Sequence, residues 1–229
     1  IEALNQWFAP YRAARDRRNR QMIDKINALL GEDLDYDRDV LPLSMHHEGG
    51  GVTERHLMYA LAKKMVARAG KGQPMVDYLG SIGLTLSEKQ KAQMLDTVYP
   101  FYEYDLLGIL KSAFVPQIYI DATDECPNIT QLVALCREMD AYLCYAYLGD
   151  VGDSVTGDKK AQKFEDDYLE DVFECLKETG VKAVTYMPTR NTPAQLKRLR
   201  GLCEQYGMFQ ISGEDINSPR QSFVIRAME

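Results

Sequence analysis

Apolar residues in the first half of the chain recur every three to four positions. Met22, Ile23, Ile26, Leu29 and Leu30 share one stripe that follows Pro10 and stops at Gly31, which predicts a long helix closed by a glycine cap. A polar loop rich in Asp and Gly comes next, through His46, His47 and Gly49-Gly50-Gly51. Thr53 then caps a second helix whose stripe is Leu57, Leu61, Met65 and Val66, ending at Gly70. Ser87, with Gln90 three residues on, makes a capping box for a third, and residues 104–110 continue the helical period. Residues 1–115 therefore read as a helical subdomain.

From residue 116 the texture changes. Short β-branched and aromatic runs over 117–121, 142–147, 183–186 and 208–212 alternate with amphipathic helices, the pattern of a parallel sheet. The helix faces are Ile129, Leu132, Val133 and Cys136; then Phe164, Tyr168, Val172, Phe173 and Leu176, with Gly180 beyond; then Leu196, Leu199, Cys203 and Tyr206. Parallel strands joined by crossovers point their C-terminal ends at one rim. Four such strands do not close a barrel, which takes about eight. The expectation for 116–229 is an α/β segment, part of a parallel β/α barrel, whose open edge calls for a partner: an absent N-terminal half or a second copy of the chain.

Composition narrows the class. Of 229 residues, 45% are hydrophobic and 27% charged, ordinary globular usage that argues against disorder. The net charge of -7, from 34 acidic and 27 basic side chains, repels nucleic acid, so none is expected as a partner. Arg12, Arg15, Arg17, Arg18 and Arg20 are spread around their helix and read as a solvated face. Five cysteines, all in the second half and none in a C-x-x-C pair, read as reduced thiols of a cytoplasmic protein. Three histidines are too few and too poorly spaced for a self-contained zinc site. No apolar run reaches the roughly 18–20 residues that cross a bilayer, so no membrane is expected. The chain enters a helical pattern almost at Ile1, without an initiator Met, and reads as a fragment of a longer protein.

Chemistry in parallel α/β architecture sits just past the strand C-termini. Here those loops carry Asp150, then Arg190, then Glu214, Asp215, Asn217 and Arg220. Converging carboxylates suit a divalent metal, and two arginines suit a bidentately held anion. The same residues also suit helix caps and loop-to-loop ion pairs, and spacing alone favours that plainer reading. No P-loop and no G-x-G-x-x-G is present.

The segment Gly213-Glu214-Asp215-Ile216-Asn217-Ser218-Pro219-Arg220-Gln221 resembles the end of the PHP (polymerase and histidinol phosphatase) family, whose last strand runs into a glycine and an Asp-x-His metal pair. Asp215 stands at the family aspartate and Asn217 where the histidine is expected. Tyr145-Ala146-Tyr147-Leu148-Gly149 is similar to the family's Ala-His-Pro-Gly strand end, with Tyr147 at the ligand position. Tyr186-Met187-Pro188-Thr189-Arg190 resembles a strand whose loop supplies a further ligand, here replaced by Arg190. Glu54-Arg55-His56 is the nearest match to a Gly-Arg-Pro-His segment of the helical insertion found in some members.

The resemblance implies a distorted β/α barrel of the PHP type, preceded by a helical subdomain. It also implies divalent zinc, manganese or magnesium ions that activate water against a phosphate ester. The family's opening His-x-His strand would lie ahead of Ile1. On this reading Asp215 binds metal, and Asp150 and Asn217 are catalytic, orienting water. Arg190, Arg220, His56, Arg55 and Tyr147 contact the substrate. The expected function is a metal-dependent phosphoesterase-like activity on a small phosphorylated molecule or nucleotide. The alternative is a barrel that has lost its ligands, as Tyr147, Arg190 and Asn217 suggest, and serves as a binding or scaffolding module.

Overall fold

The structure is a computed structural model and describes residues 2–152, 161–216 and 218–224. The chain divides into two compact units, Ile1–Cys126 and Pro127–Glu229. No helix among the described residues is long and apolar enough to cross a membrane.

The first unit is helical: α1 (Glu2–Leu30), α2 (Glu54–Ala69), α3 (Gln73–Ser81), α4 (Glu88–Leu95) and α5 (Tyr102–Ile118). Local signals set most of the boundaries. Gly31, at φ +64°, ends α1, and the Ser87–Gln90 capping box starts α4. At α2 the side chain of His56 takes the place of the usual Glu or Gln, its Nδ1 accepting from the Thr53 amide at 3.0 Å. Helix α3 is absent from the sequence reading; Pro74 in its first turn starts it, and only Met75 and Leu79 are buried along it. The core gathers Met22, Ile26, Leu61, Met65, Leu110 and Phe114, with α2 lying against α5. Each such side chain contributes about 1.5–3 kcal/mol on burial.

The arginines of α1 are more engaged than a solvated face. Arg15 and Arg18 both reach Glu125, which is 7% exposed, at 3.2 and 2.8 Å. Arg18 also meets Glu54 at 3.2 Å and the Ile120 carbonyl at 2.9 Å, while Arg20 pairs with Asp37 at 2.6 Å. The run therefore ties α1 to α2 and to the segment after α5.

The second unit holds a parallel sheet in the order β1 (Cys144–Ala146), β2 (Ala183–Tyr186), β3 (Phe209–Ser212). Cys144 pairs with Ala183, and Ala183 with Phe209. Helix α6 (Ile129–Glu138) precedes β1, α7 (Leu169–Thr179) lies between β1 and β2, and α8 (Pro193–Tyr206) lies between β2 and β3. The core of this unit takes strand residues of a single parity: Leu143, Tyr145 and Tyr147, then Val184 and Tyr186, against Phe173, Leu176, Leu199 and Cys203. Successive side chains of a strand point to opposite faces, so the helices cover one face. The other carries Cys144, Ala146, Ala183, Thr185, Phe209 and Ile211; Ala183, in the central strand, is buried, while Phe209 is 61% and Ile211 43% exposed.

This corrects the expected fold. The chain is mostly helical, and its small three-stranded sheet is open, not a partial barrel of the PHP type. The decisive element is the run 117–121. Its first residues finish α5, which continues through Pro116, and Ile118 is 1% exposed in the core of the helical unit. Burial in that core outweighs the strand propensity of the Ile-Tyr-Ile sequence. Three strands remain among the described residues, far fewer than closure requires.

Candidate functional site

Where β1 ends, the chain runs through Tyr147, Leu148, Gly149 and Asp150. Two consecutive carboxylates just ahead of α7 clamp this loop. Glu165, 5% exposed, accepts from the Leu148 amide at 2.8 Å, the Gly149 amide at 3.3 Å and the Tyr145 hydroxyl at 3.1 Å. Asp166 accepts from the Asp150 amide at 2.9 Å, the Tyr147 hydroxyl at 2.5 Å and Gln195 Nε2 at 2.6 Å. The two tyrosines share a face of β1, and each meets one of the two acids. Burial, then the neighbouring carboxylate, pushes both phenols above their ordinary range. Burial alone would raise Asp166; donation from Tyr147, Gln195 and the Asp150 amide outweighs it and holds the carboxyl below its ordinary value.

Gly149 is required at its place. Its φ is +69°, and a Cβ there would lie 2.7 Å from Asn191 Nδ2 and 2.8 Å from the Tyr147 hydroxyl.

The loop after β2 turns at Pro188-Thr189-Arg190, with the amides of Arg190 and Asn191 both donating to the Met187 carbonyl. Thr192 and Gln195 then form the capping box of α8. Two side chains of this turn reach back to one acceptor: Arg190 Nε lies 3.0 Å, and Asn191 Nδ2 2.7 Å, from the Leu148 carbonyl. The Arg190 guanidinium lies over the Phe164 ring at 5.2 Å. Arg190 has no carboxylate partner among the described residues, and its terminal amino groups are left to other acceptors. Asn191 is 7% exposed, and its Oδ1 accepts from no group among the described residues. On the other side, Glu214 after β3 accepts from the Thr189 amide at 2.7 Å and from the Thr189 hydroxyl. The loops after all three strands are thus tied side by side.

Among the sequence-derived candidates, the structure brings Tyr147, Asp150 and Arg190 together. Asp150 is occupied: it accepts from the Phe164 amide at 2.6 Å and from Lys163 at 2.7 Å, and Lys163, then that amide, hold its carboxyl below the ordinary range. Tyr147 is buried and serves the clamp. Asp215 follows the tied Glu214 and is exposed, its backbone carbonyl accepting from Gln221 Nε2 at 3.1 Å. Arg220 is exposed, with its amide donating to Ser218 Oγ. Asn217 lies outside the described residues. Arg55 and His56 belong to the helical unit, where Arg55 donates to the Tyr104 hydroxyl at 2.9 Å and His56 completes a helix cap. Burial lowers the His56 pKa from its ordinary value, which favours the neutral ring that this cap uses. His46 is anchored to Asp16 at 2.9 Å, and Asp16 also accepts from Tyr36.

Sequence reasoning missed Glu165, Asp166, Asn191 and Gln195. The available signal was the Tyr-x-Tyr alternation of β1 together with an acidic pair where a helix had been expected from Phe164 onward. Helix α7 begins only at Leu169, which frees Phe164, Glu165 and Asp166 for the loop.

Glu165, Asp166, Asp150 and Glu214 each have both oxygens engaged by protein donors. No group of three or more His, Cys, Asp or Glu side chains is placed to hold a metal among the described residues. No family model, curated protein or solved structure matches the chain.

Proposed function

We propose that the rim beyond β1, β2 and β3 binds the phosphate group of a small phosphorylated molecule or nucleotide and serves hydrolysis of its ester. The observation that carries this reading is the state of Arg190. A guanidinium that donates through Nε to a backbone carbonyl, rests on an aromatic ring and has no carboxylate partner among the described residues is pre-oriented to offer two parallel N–H donors to a tetrahedral anion. The similarity of the segment around Asp215 to the PHP family supplies the hydrolytic part of the reading. No step is routed through a metal, because no group of three or more His, Cys, Asp or Glu side chains is placed to hold one among the described residues.

Titration of the protein with inorganic phosphate tests the binding. Wild-type protein is expected to bind, and Arg190→Ala to weaken the affinity about tenfold to a hundredfold, the worth of a hydrogen bond to a charged group. Equal affinity in wild type and variant would overturn the reading. A second reading, a binding module without turnover, is favoured by the carboxylates, which are spent on holding loops. Hydrolysis of an aryl phosphate, with and without chelator, separates the two: turnover supports the esterase, and phosphate binding without turnover supports the module.

A further inference from the structure

We infer that Glu165 is a positioning residue for the anion contact at Arg190, acting through a single peptide group; this rests on the phosphate reading above. The Leu148 carbonyl and the Gly149 amide are two ends of one planar unit. Glu165 Oε2 holds the amide end at 3.3 Å, while Arg190 Nε and Asn191 Nδ2 hold the carbonyl end at 3.0 and 2.7 Å. Glu165 Oε1 fixes the preceding peptide through the Leu148 amide at 2.8 Å. The plane cannot rotate without losing bonds at both ends, and at Gly149, φ +69°, any added Cβ would run into Asn191 and Tyr147. A carboxylate on the amide also polarises the peptide, making its carbonyl a better acceptor for the guanidinium.

Glu165 acts on the second contact as well. Phe164, whose ring lies under the Arg190 guanidinium at 5.2 Å, is its neighbour in sequence, and the Phe164 amide is pinned by Asp150 at 2.6 Å. Both supports of the Arg190 side chain, the carbonyl and the ring, therefore depend on how the short segment bearing Glu165 is seated. Glu165 itself is 5% exposed, out of reach of a bulky ligand.

The test uses Glu165→Gln in the full chain with two readouts. The first is the Arg190 Nε–Hε signal in a ¹⁵N–¹H correlation spectrum, identified by its loss in Arg190→Lys. The second is the affinity for inorganic phosphate. Gln offers one acceptor oxygen where Glu offers two, so one amide loses its partner. The Hε signal is expected to move toward the position of free arginine and to exchange with water about tenfold faster, with phosphate affinity falling about fivefold to tenfold. A purely structural role would lower the melting temperature without moving that one signal in the folded protein. Glu165→Asp, one methylene too short to span both amides, gives the same expectation and serves if the Gln variant does not fold. An Hε signal unchanged in the folded variants overturns the positioning role. Unchanged phosphate affinity in Arg190→Ala overturns the phosphate reading instead, and leaves the Hε signal to decide whether Glu165 seats the side chain.

Discussion

Replacing Tyr147 by Phe removes one oxygen from the centre of the acidic clamp and leaves the ring in place. Tyr147 is 1% exposed, and its hydroxyl donates to Asp166 at 2.5 Å. A hydrogen bond to a charged acceptor contributes about 1.5–3 kcal/mol. Asp166 keeps two other donors, Gln195 Nε2 at 2.6 Å and the Asp150 amide at 2.9 Å, so it is not orphaned, and the lower half of that range applies. The expected loss for Tyr147→Phe is about 1.5–2 kcal/mol at pH 7.

The pH dependence follows from Asp166, whose folded pKa is held below its ordinary value by donors that include this hydroxyl. Stability from a depressed carboxylate is fully present above its unfolded pKa, near ~3.9, and is lost as pH falls through the lower folded value. The gap between wild type and variant should therefore narrow below about pH 4. Urea unfolding followed by circular dichroism at neutral and acid pH measures it, and hydrogen exchange of the Leu148–Asp150 amides locates it. No destabilisation at pH 7, or the same loss in acid, would refute the assignment of the Tyr147–Asp166 bond.

Two further substitutions test the packing around the site. Gly149→Ala puts a Cβ within 2.7 Å of Asn191 Nδ2 at a φ of +69°, so it should destabilise by about 1–3 kcal/mol; a thermal melt superimposable on wild type would contradict this. Phe173→Ala empties a fully buried site beside Tyr206, whose ring lies 5.5 Å away, and should cost about 3–5 kcal/mol by urea midpoint. A cost under about 1 kcal/mol would mean that the core of the second unit closes over the gap.

What the sequence by itself determined is whatever depends on neighbours a few residues apart. The end of α1 at Gly31, the caps of α2 and α4, the end of α7 at Gly180 and the strand Ala183–Tyr186 are all legible, because capping, glycine conformation and apolar period act within a turn or a strand. Tertiary structure decided the rest. Residues 117–121 have strand-like composition, yet the core of the helical unit claims Ile118, and the expected fourth strand and barrel go with it. Asp150 looks like a free rim carboxylate until the fold delivers Lys163 and the Phe164 amide to it. Glu165 meets Leu148 across 17 positions and Arg190 meets the same residue across 42. Such pairings are set by strand order, register and the length of the intervening loops, and no local pattern specifies them.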